Sequence, residues 1–185
     1  MAVQITYFVH GTTTDNEQHR TTGWNPGELS ELGIKQAKEL PRQIGDVTFD
    51  AIISSDLKRA VDSAELGFGD QYTIVQDERL RECNYGDLNG APDSARESIE
   101  HYIDIPYPSG ESYKHVEQRI RSLLTDIARD YPGKHVAFMA HHAPQLALEV
   151  LLSGKSWHEA IASDWRNDKR WQAGWHYVIP DGWPT

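Results

Sequence analysis

The sequence is short of most features that would commit a chain to a membrane, a disulfide scaffold or a nucleic acid. It has one cysteine, Cys83, so no disulfide can form within the chain, and the reducing cytoplasm is the expected compartment. An isolated cysteine is more often structural than catalytic, and Cys83 is read that way. No run of about twenty apolar residues occurs, which leaves no segment able to span a bilayer as a helix. The opening Met1-Ala2-Val3-Gln4-Ile5 lacks a basic stretch followed by an apolar one and a cleavage site, so secretion is not expected. There is no block of Lys and Arg, and 28 acidic against 18 basic residues give a formal charge of -10. Such a chain repels a phosphodiester backbone, and no nucleic-acid partner is expected. Neither H-E-x-x-H nor C-x-x-C occurs. The adjacent His141 and His142 would point apart on an extended or turning backbone, so no metal site and no cofactor are expected. Repeats, low-complexity tracts and long Pro/Gly/Ser linkers are also missing, and one domain over residues 1–185 is the expectation.

What is present suits an α/β fold. The 38% hydrophobic and 10% aromatic residues are enough for a core. Gln4 to Val9 is β-branched and aromatic and reads as a strand, followed by a polar loop from His10 to about Glu28. Ser30 makes an N-cap for a helix carrying Leu32, Gln36, Ala37 and Leu40, with Pro41 expected to end or bend it. Ala51–Ser54 reads as a short strand, Asp56 to Leu66 as helical, and Tyr72–Val75 as another strand. A glycine-punctuated loop spans Asn84 to Pro92, with Ser94 and Glu97 as a capping box beyond it. Tyr113, Val116, Ile120, Leu123, Leu124, Ile127 and Tyr131 fall on one face of a long helix. His135–Met139 reads as a buried strand, Ala143–Leu152 as a helix and Trp175–Ile179 as a last strand. The tryptophans near the end, Trp157, Trp165, Trp171, Trp175 and Trp183, are expected in the core and at the sheet edge. Strands alternating with helices imply a three-layer α/β/α fold around a mostly parallel sheet, with ligands at the C-terminal strand ends. Two strands run into histidines, His10 and His141, and a third ends at Ser54-Ser55 before a helix that carries Arg59.

Those residue types match the needs of phosphoryl transfer. A neutral imidazole can attack phosphorus and form a phosphohistidine. A second histidine and an arginine can bind the phosphoryl oxygens, and a carboxylate can protonate the leaving group. Six blocks in order resemble the histidine phosphatase superfamily, which includes the cofactor-dependent phosphoglycerate mutases. They are Phe8-Val9-His10-Gly11 with Asn16, Thr22-Gly23-Trp24 with Leu29 to Gly33, Ser54 to Ala60, Leu80 to Gly90, Pro108 to Ser112, and Val136 to His141. The resemblance implies a phosphoglycerate mutase-like fold. It further implies His10 as nucleophile, Arg59 as phosphate clamp, Glu82 as general acid and His141 as second phosphate-contacting histidine. Gly11, Asn16, Thr22, Gly23, Tyr85 and His142 would line the substrate side. The implied partners are a small-molecule phosphate ester and inorganic phosphate, with no metal.

The likeness fails at Val9, where the family carries an arginine directly before the nucleophile. Losing one donor of that kind costs on the order of a hundred- to a thousandfold in rate. Thr12 and His142 also depart from the family's acidic residue and glycine. His142 and Arg20 are the sequence candidates for restoring positive charge. A phosphomonoesterase acting on a small metabolite is the expected function. The rivals are a catalytically impaired phosphate-binding or regulatory protein, a mutase-type phosphotransferase and a metal-dependent hydrolase. Mutases are typically longer, with extra substrate-enclosing segments, which favours the phosphatase.

Overall fold

The computed structural model describes residues 1–184. Its centre is a five-stranded sheet built from β1 (Val3–Val9), β2 (Ala51–Ser54), β3 (Ile74–Gln76), β4 (His135–Ala140) and β5 (Trp175–Ile179). The spatial order is β3-β2-β4-β1-β5. The first four lie parallel, and β5 pairs antiparallel with β1 at the edge.

Alternation along the strands sorts the side chains into two cores, as a period of two requires. On one face Ile5, Tyr7, Ile53, Val136, Phe138 and Ala140 pack with Val116, Ile120 and Leu124 of α4 (Tyr113–Asp130) and Leu146 of α5 (His142–Leu151). On the other, Phe8, Ile52, Ala137 and Met139 pack with Leu40 of α2 (Glu31–Ile44) and Ala60, Ala64 and Phe68 of α3 (Lys58–Phe68). Helices on both faces of a mostly parallel sheet make the expected three-layer α/β/α arrangement.

Local expectations met mixed outcomes. Ser30 caps α2 by accepting from Gly33 N, but the helix runs on through Pro41 to Ile44. Pro41 deprives the Ala37 carbonyl of its intrahelical partner. That carbonyl lies against Gly67 of α3, where even a Cβ would sit 3.0 Å from it. Close packing of two helices therefore holds the last turn despite the proline. The expected Ser94/Glu97 capping box does not form. Only a 3₁₀ turn at Asp93–Ala95 is present, and Arg96 leaves it extended with its guanidinium 4.6 Å from the Tyr85 ring centroid. Two short helices were not anticipated: α1 (Thr14–Glu17), inside the polar loop, and α6 (Trp157–Ala162). Among the described residues no helix is long and apolar enough to cross a membrane.

Candidate active site

The C-terminal ends of β1 and β4 are neighbours in the sheet, Val9 facing Ala140, so the residues that follow them, His10 and His141, meet. Their ring centroids are 5.0 Å apart. Both sit at the base of an open cleft of about 360 Å³.

His10 is held in one tautomer. Its Nδ1 is 2.7 Å from the Gly11 carbonyl, which can only accept, so Nδ1 carries the proton. Nε2 is then the unprotonated nitrogen, and it accepts a 3.3 Å hydrogen bond from Arg59 Nε. Burial, then the Arg59 charge, lowers the His10 pKa to about 3. The loop after β1 gains its position from glycine. Gly11 lies so close to α2 that a Cβ there would be 2.4 Å from the Gly33 carbonyl oxygen, and its N–H donates to Ser63 Oγ of α3 at 3.0 Å.

Arg59 is almost completely buried at 1% exposure. Its Nη2 donates to the Gly23 carbonyl at 2.8 Å and its Nη1 to the Asn25 carbonyl at 2.9 Å. Gly23 adopts a φ of 54°, and a side chain there would collide with Asn89. The guanidinium therefore shapes the 22–26 loop as well as charging the site. Thr22, next in that loop, donates to Asp15 Oδ2 at 2.9 Å and lines the cleft.

His141 is the N-cap residue of α5, but its side chain does not cap the helix. Tyr7 fixes its backbone from β1, donating to the His141 carbonyl at 2.6 Å and accepting from its N–H at 3.0 Å. Both ring nitrogens are buried and make no hydrogen bond among the described residues. Burial and the nearby Arg59 and His10 hold this imidazole well below the ordinary histidine pKa.

Glu82 performs the capping that His141 does not. Its Oε1 accepts from Cys83 N at 2.8 Å and Ala143 N at 3.0 Å, and its Oε2 from His142 N at 3.2 Å. A carboxylate at a helix N-terminus meets unpaired N–H groups and the positive end of the dipole. Burial pushes Glu82 up, but His142, these N–H bonds and Arg59 outweigh it, and its pKa lies below the usual carboxylate value. In the free protein Glu82 is thus ionised. The segment carrying it is anchored by Arg119 of α4, which donates to the Glu82 carbonyl at 3.0 Å and to Glu111 Oε1 at 3.0 Å. Arg119 and Glu111 were not singled out by sequence reasoning, because their role is contact between distant segments. Cys83 is fully buried, and burial raises its thiol far above the ordinary value, which agrees with a structural residue.

The remaining candidates also reach the cleft. Asn16 lines it, but its Oδ1 is committed to Thr13 N at 2.9 Å in the cap of α1, so only its amide N–H groups are left to face a ligand. Tyr85 lines it from beneath Arg96. His142 lines it with Nε2 bonded to Asp164 Oδ2 at 2.5 Å. Arg20 is at the rim with Nη1 on the Gly90 carbonyl at 3.0 Å. Val9 contributes an apolar wall. Of the tryptophans expected in packing roles, Trp157 is buried but Trp171 is half exposed, and Trp165 and Trp171 line the cleft together with Arg166. Nothing near them in the sequence belongs to a recognisable block, so reasoning by motif passed over this segment.

These histidines have a consequence for stability. In the folded protein His10 and His141 stay neutral well below pH 6.5, whereas in the unfolded chain they titrate near that value. Between pH 6.5 and about 3 the unfolded state therefore binds more protons, and stability falls as pH falls. His10 adds a slope of about 1.4 kcal/mol per pH unit inside that window and nothing above it, and His141 acts in the same direction. Thermal unfolding followed at pH 7.5 and pH 5 is expected to give a lower Tm at pH 5. His10→Asn is expected to shrink that difference, and an equal difference in the variant would contradict the assignment.

Comparison with known proteins places the chain in a family. The family model for the histidine phosphatase superfamily (branch 1) matches residues 7–176. The chain is 33% identical over 148 residues to an uncharacterized phosphatase, PhoE, of Bacillus subtilis (strain 168), covering 78% of this chain and 75% of the relative. It is 34% identical over 163 residues to a 2,3-bisphosphoglycerate-dependent phosphoglycerate mutase of Methylorubrum extorquens (strain PA1), covering 78% and 76%. A mycobacterial glucosyl-3-phosphoglycerate phosphatase superposes with a TM-score of 0.74 at 29% identity, covering 89% of this chain and 85% of that one. That phosphatase has also been solved with VO3. The chain belongs to the histidine phosphatase superfamily, and its fold is phosphoglycerate mutase-like.

Proposed function

We propose that this protein is a phosphatase that hydrolyses a phosphate monoester of a small metabolite through a covalent phosphohistidine on His10. The observation that carries the reading is the His10 tautomer. The Gly11 carbonyl accepts a hydrogen bond from Nδ1–H, and the unprotonated Nε2 is presented beside Arg59 and the unpartnered nitrogens of His141. The mycobacterial phosphatase solved with VO3, an analogue of the transferred group, supports it by similarity.

The ionised state of Glu82 determines how the proton must travel. A phosphate monoester has a second pKa of about 6, so part of it arrives as a monoanion that can pass its proton to Glu82. The bound negative charge also raises the Glu82 pKa and favours that transfer. His10 Nε2 then forms the N–P bond while the P–O ester bond breaks, and Glu82 gives its proton to the leaving oxygen. In the second step Glu82, again a carboxylate, takes a proton from the water that attacks phosphorus. The N–P bond breaks, and phosphate leaves with the proton handed back by Glu82, which returns to its ionised state. His141 and Arg59 donate to the phosphoryl oxygens in both steps. No metal enters this scheme.

Phosphate release from p-nitrophenyl phosphate and a panel of phosphorylated metabolites, measured with EDTA present, tests the proposal. Metal-independent turnover is expected, and activity that appears only with added divalent ions would overturn it. Glu82→Gln is expected to lose about 10²–10⁴-fold on alkyl phosphates, whose leaving oxygen needs the proton. The loss should be much smaller in the phosphorylation step on p-nitrophenyl phosphate, whose leaving group departs as an anion. Equal losses on both would remove Glu82 from the acid role. The apolar wall at Val9 favours a second reading, a phosphate binder with impaired turnover. A folded protein that binds phosphate or vanadate but turns over no ester would establish that one instead.

A further inference from the structure

The site contains a charge shortfall that the described geometry makes explicit. His10 and His141 are neutral, Glu82 is ionised, and Arg59 is, among the described residues, the one buried cation that bonds to the nucleophile. The terminal nitrogens of Arg59 already make three hydrogen bonds to backbone carbonyls, those of Gly23, Asn25 and Pro26. A phosphate ester would bring up to two negative charges to a centre whose own charges nearly cancel. The end of β1, the wall nearest His10 in sequence, contributes only Val9.

Three further arginines line the cleft: Arg20, Arg96 and Arg166. Arg20 is exposed at the rim and fastened to the Gly90 carbonyl. Arg96 lies over Tyr85 and beside Asp93, 3.7 Å away. Arg166 differs from both in that side-chain hydrogen bonds hold both of its terminal nitrogens. Its Nη1 donates to Asp164 Oδ1 at 3.0 Å and its Nη2 to Gln145 Oε1 at 3.1 Å. Its Cζ stands 4.3 Å from the Trp165 ring centroid, and Trp165 in turn stacks on Trp175 of β5. Gln145 is a buried residue of α5, and the same Asp164 carboxylate receives His142 Nε2. Burial pushes Asp164 up, but His142 and Arg166 outweigh it and hold its pKa at about 2, so it accepts from both. Arg166 is also the cation, besides Arg59, whose charge helps keep His10 unprotonated. A guanidinium has five N–H donors, and the bonds to Asp164 and Gln145 use two of them.

We propose that Arg166, carried by the segment between α6 and β5, is the second guanidinium that contacts the bound phosphate ester. It supplies from the far end of the chain the positive charge that Val9 does not supply at the end of β1. This rests on the phosphatase reading above and adds to it a phosphate-contacting residue. The brace of Asp164, Gln145 and Trp165 holds the planar fork ordered before substrate arrives, which a flexible surface arginine would not provide.

The test compares Arg166→Gln, Arg166→Lys and Arg170→Gln with wild type, and adds Val9→Arg in the Arg166→Gln background. Arg170 is exposed and paired with Asp168, so Arg170→Gln controls for loss of any positive charge in this segment and is expected to behave as wild type. Arg166→Gln is expected to lower kcat/KM about a hundredfold or more and to weaken competition by inorganic phosphate. Arg166→Lys, which keeps the charge but not the fork, is expected to fall between the two. Val9→Arg is expected to restore at least tenfold to Arg166→Gln. That rescue would not follow if Arg166 only held Asp164 and His142 in place. An Arg166→Gln variant within threefold of wild type in both kcat/KM and phosphate inhibition would overturn the proposal. If Val9→Arg does not fold, the Lys series decides: Lys no better than Gln counts against a direct contact. Wild type that releases phosphate from no ester would defeat the phosphatase reading alone. Arg166 is then judged by calorimetric affinity for vanadate, and unchanged affinity in Arg166→Gln would defeat this proposal separately.

Discussion

His10→Ala is expected to remove phosphate release altogether, by at least about 10⁴-fold, while leaving a folded protein that still binds phosphate. The size of the effect follows from what the imidazole does. In the proposed mechanism it forms the N–P bond itself, so without it the ester must be attacked directly by water at a site arranged for a different geometry. Removing a covalent nucleophile costs more than removing one donor to the phosphoryl group, for which about 10²–10³-fold is typical. The fold should tolerate the change. His10 makes its hydrogen bonds only to the adjacent Gly11 carbonyl and to Arg59 Nε, and its side chain opens onto the cleft rather than supporting either core. Burst-phase trapping of an acid-labile phosphoenzyme in wild type, absent in the variant, would identify the intermediate. Residual turnover in His10→Ala within tenfold of wild type would mean that the nucleophile lies elsewhere.

Arg59→Ala is expected to damage both rate and fold. The side chain is among the largest that are fully buried, and it satisfies the carbonyls of Gly23 and Asn25 while donating to His10. Each buried acceptor left without a partner costs about 1–3 kcal/mol, and the emptied volume adds a cavity term. A loss of about 3–5 kcal/mol in denaturant unfolding is expected from those contributions together. Arg59→Lys tests which part of the guanidinium matters. An ammonium keeps the charge but cannot reach two carbonyls and His10 at once, so Lys should recover little of either property. Wild-type stability in Arg59→Ala would show that the 22–26 loop is held by other contacts. Wild-type kcat/KM in Arg59→Lys would show that charge alone suffices.

Several parts of this protein were legible before any coordinates, and the particular elements show why. Gln4 to Val9 and His135 to Met139 carry alternating or continuous apolar side chains, and a period of two assigns them to both faces of a sheet. The α4 stripe from Tyr113 to Ile127 repeats every three or four residues and is buried as that pattern requires. Ser30 caps α2 through a bond three residues away. Each of these signals acts within one or two turns of chain. The same kind of signal explains α1 and α6, whose caps at Thr13/Asn16 and Ser156/Glu159 were present in the sequence but not read as helix starts. Pro41 and Ser94/Glu97 misled for the opposite reason. Packing against Gly67 carried the helix past Pro41, and the turn after Pro92 leads Arg96 to Tyr85 instead of into a helix.

The chemistry of the site divides along the same line. By itself the sequence determined the order of strands and helices, the residues that end β1 and β4, and the identities of the groups available for phosphoryl transfer. Only the tertiary structure decided what state those groups are in. The His10 tautomer depends on how one loop turns. Glu82 is ionised because a helix beginning sixty residues later points its N–H groups at it. Tyr7 holds His141 across 134 residues of chain. Arg166 enters the cleft only because Gln145 and Asp164 fold against it. Spacing along a chain reports contacts a few residues apart, whereas charge state and donor geometry depend on which distant groups exclude water together.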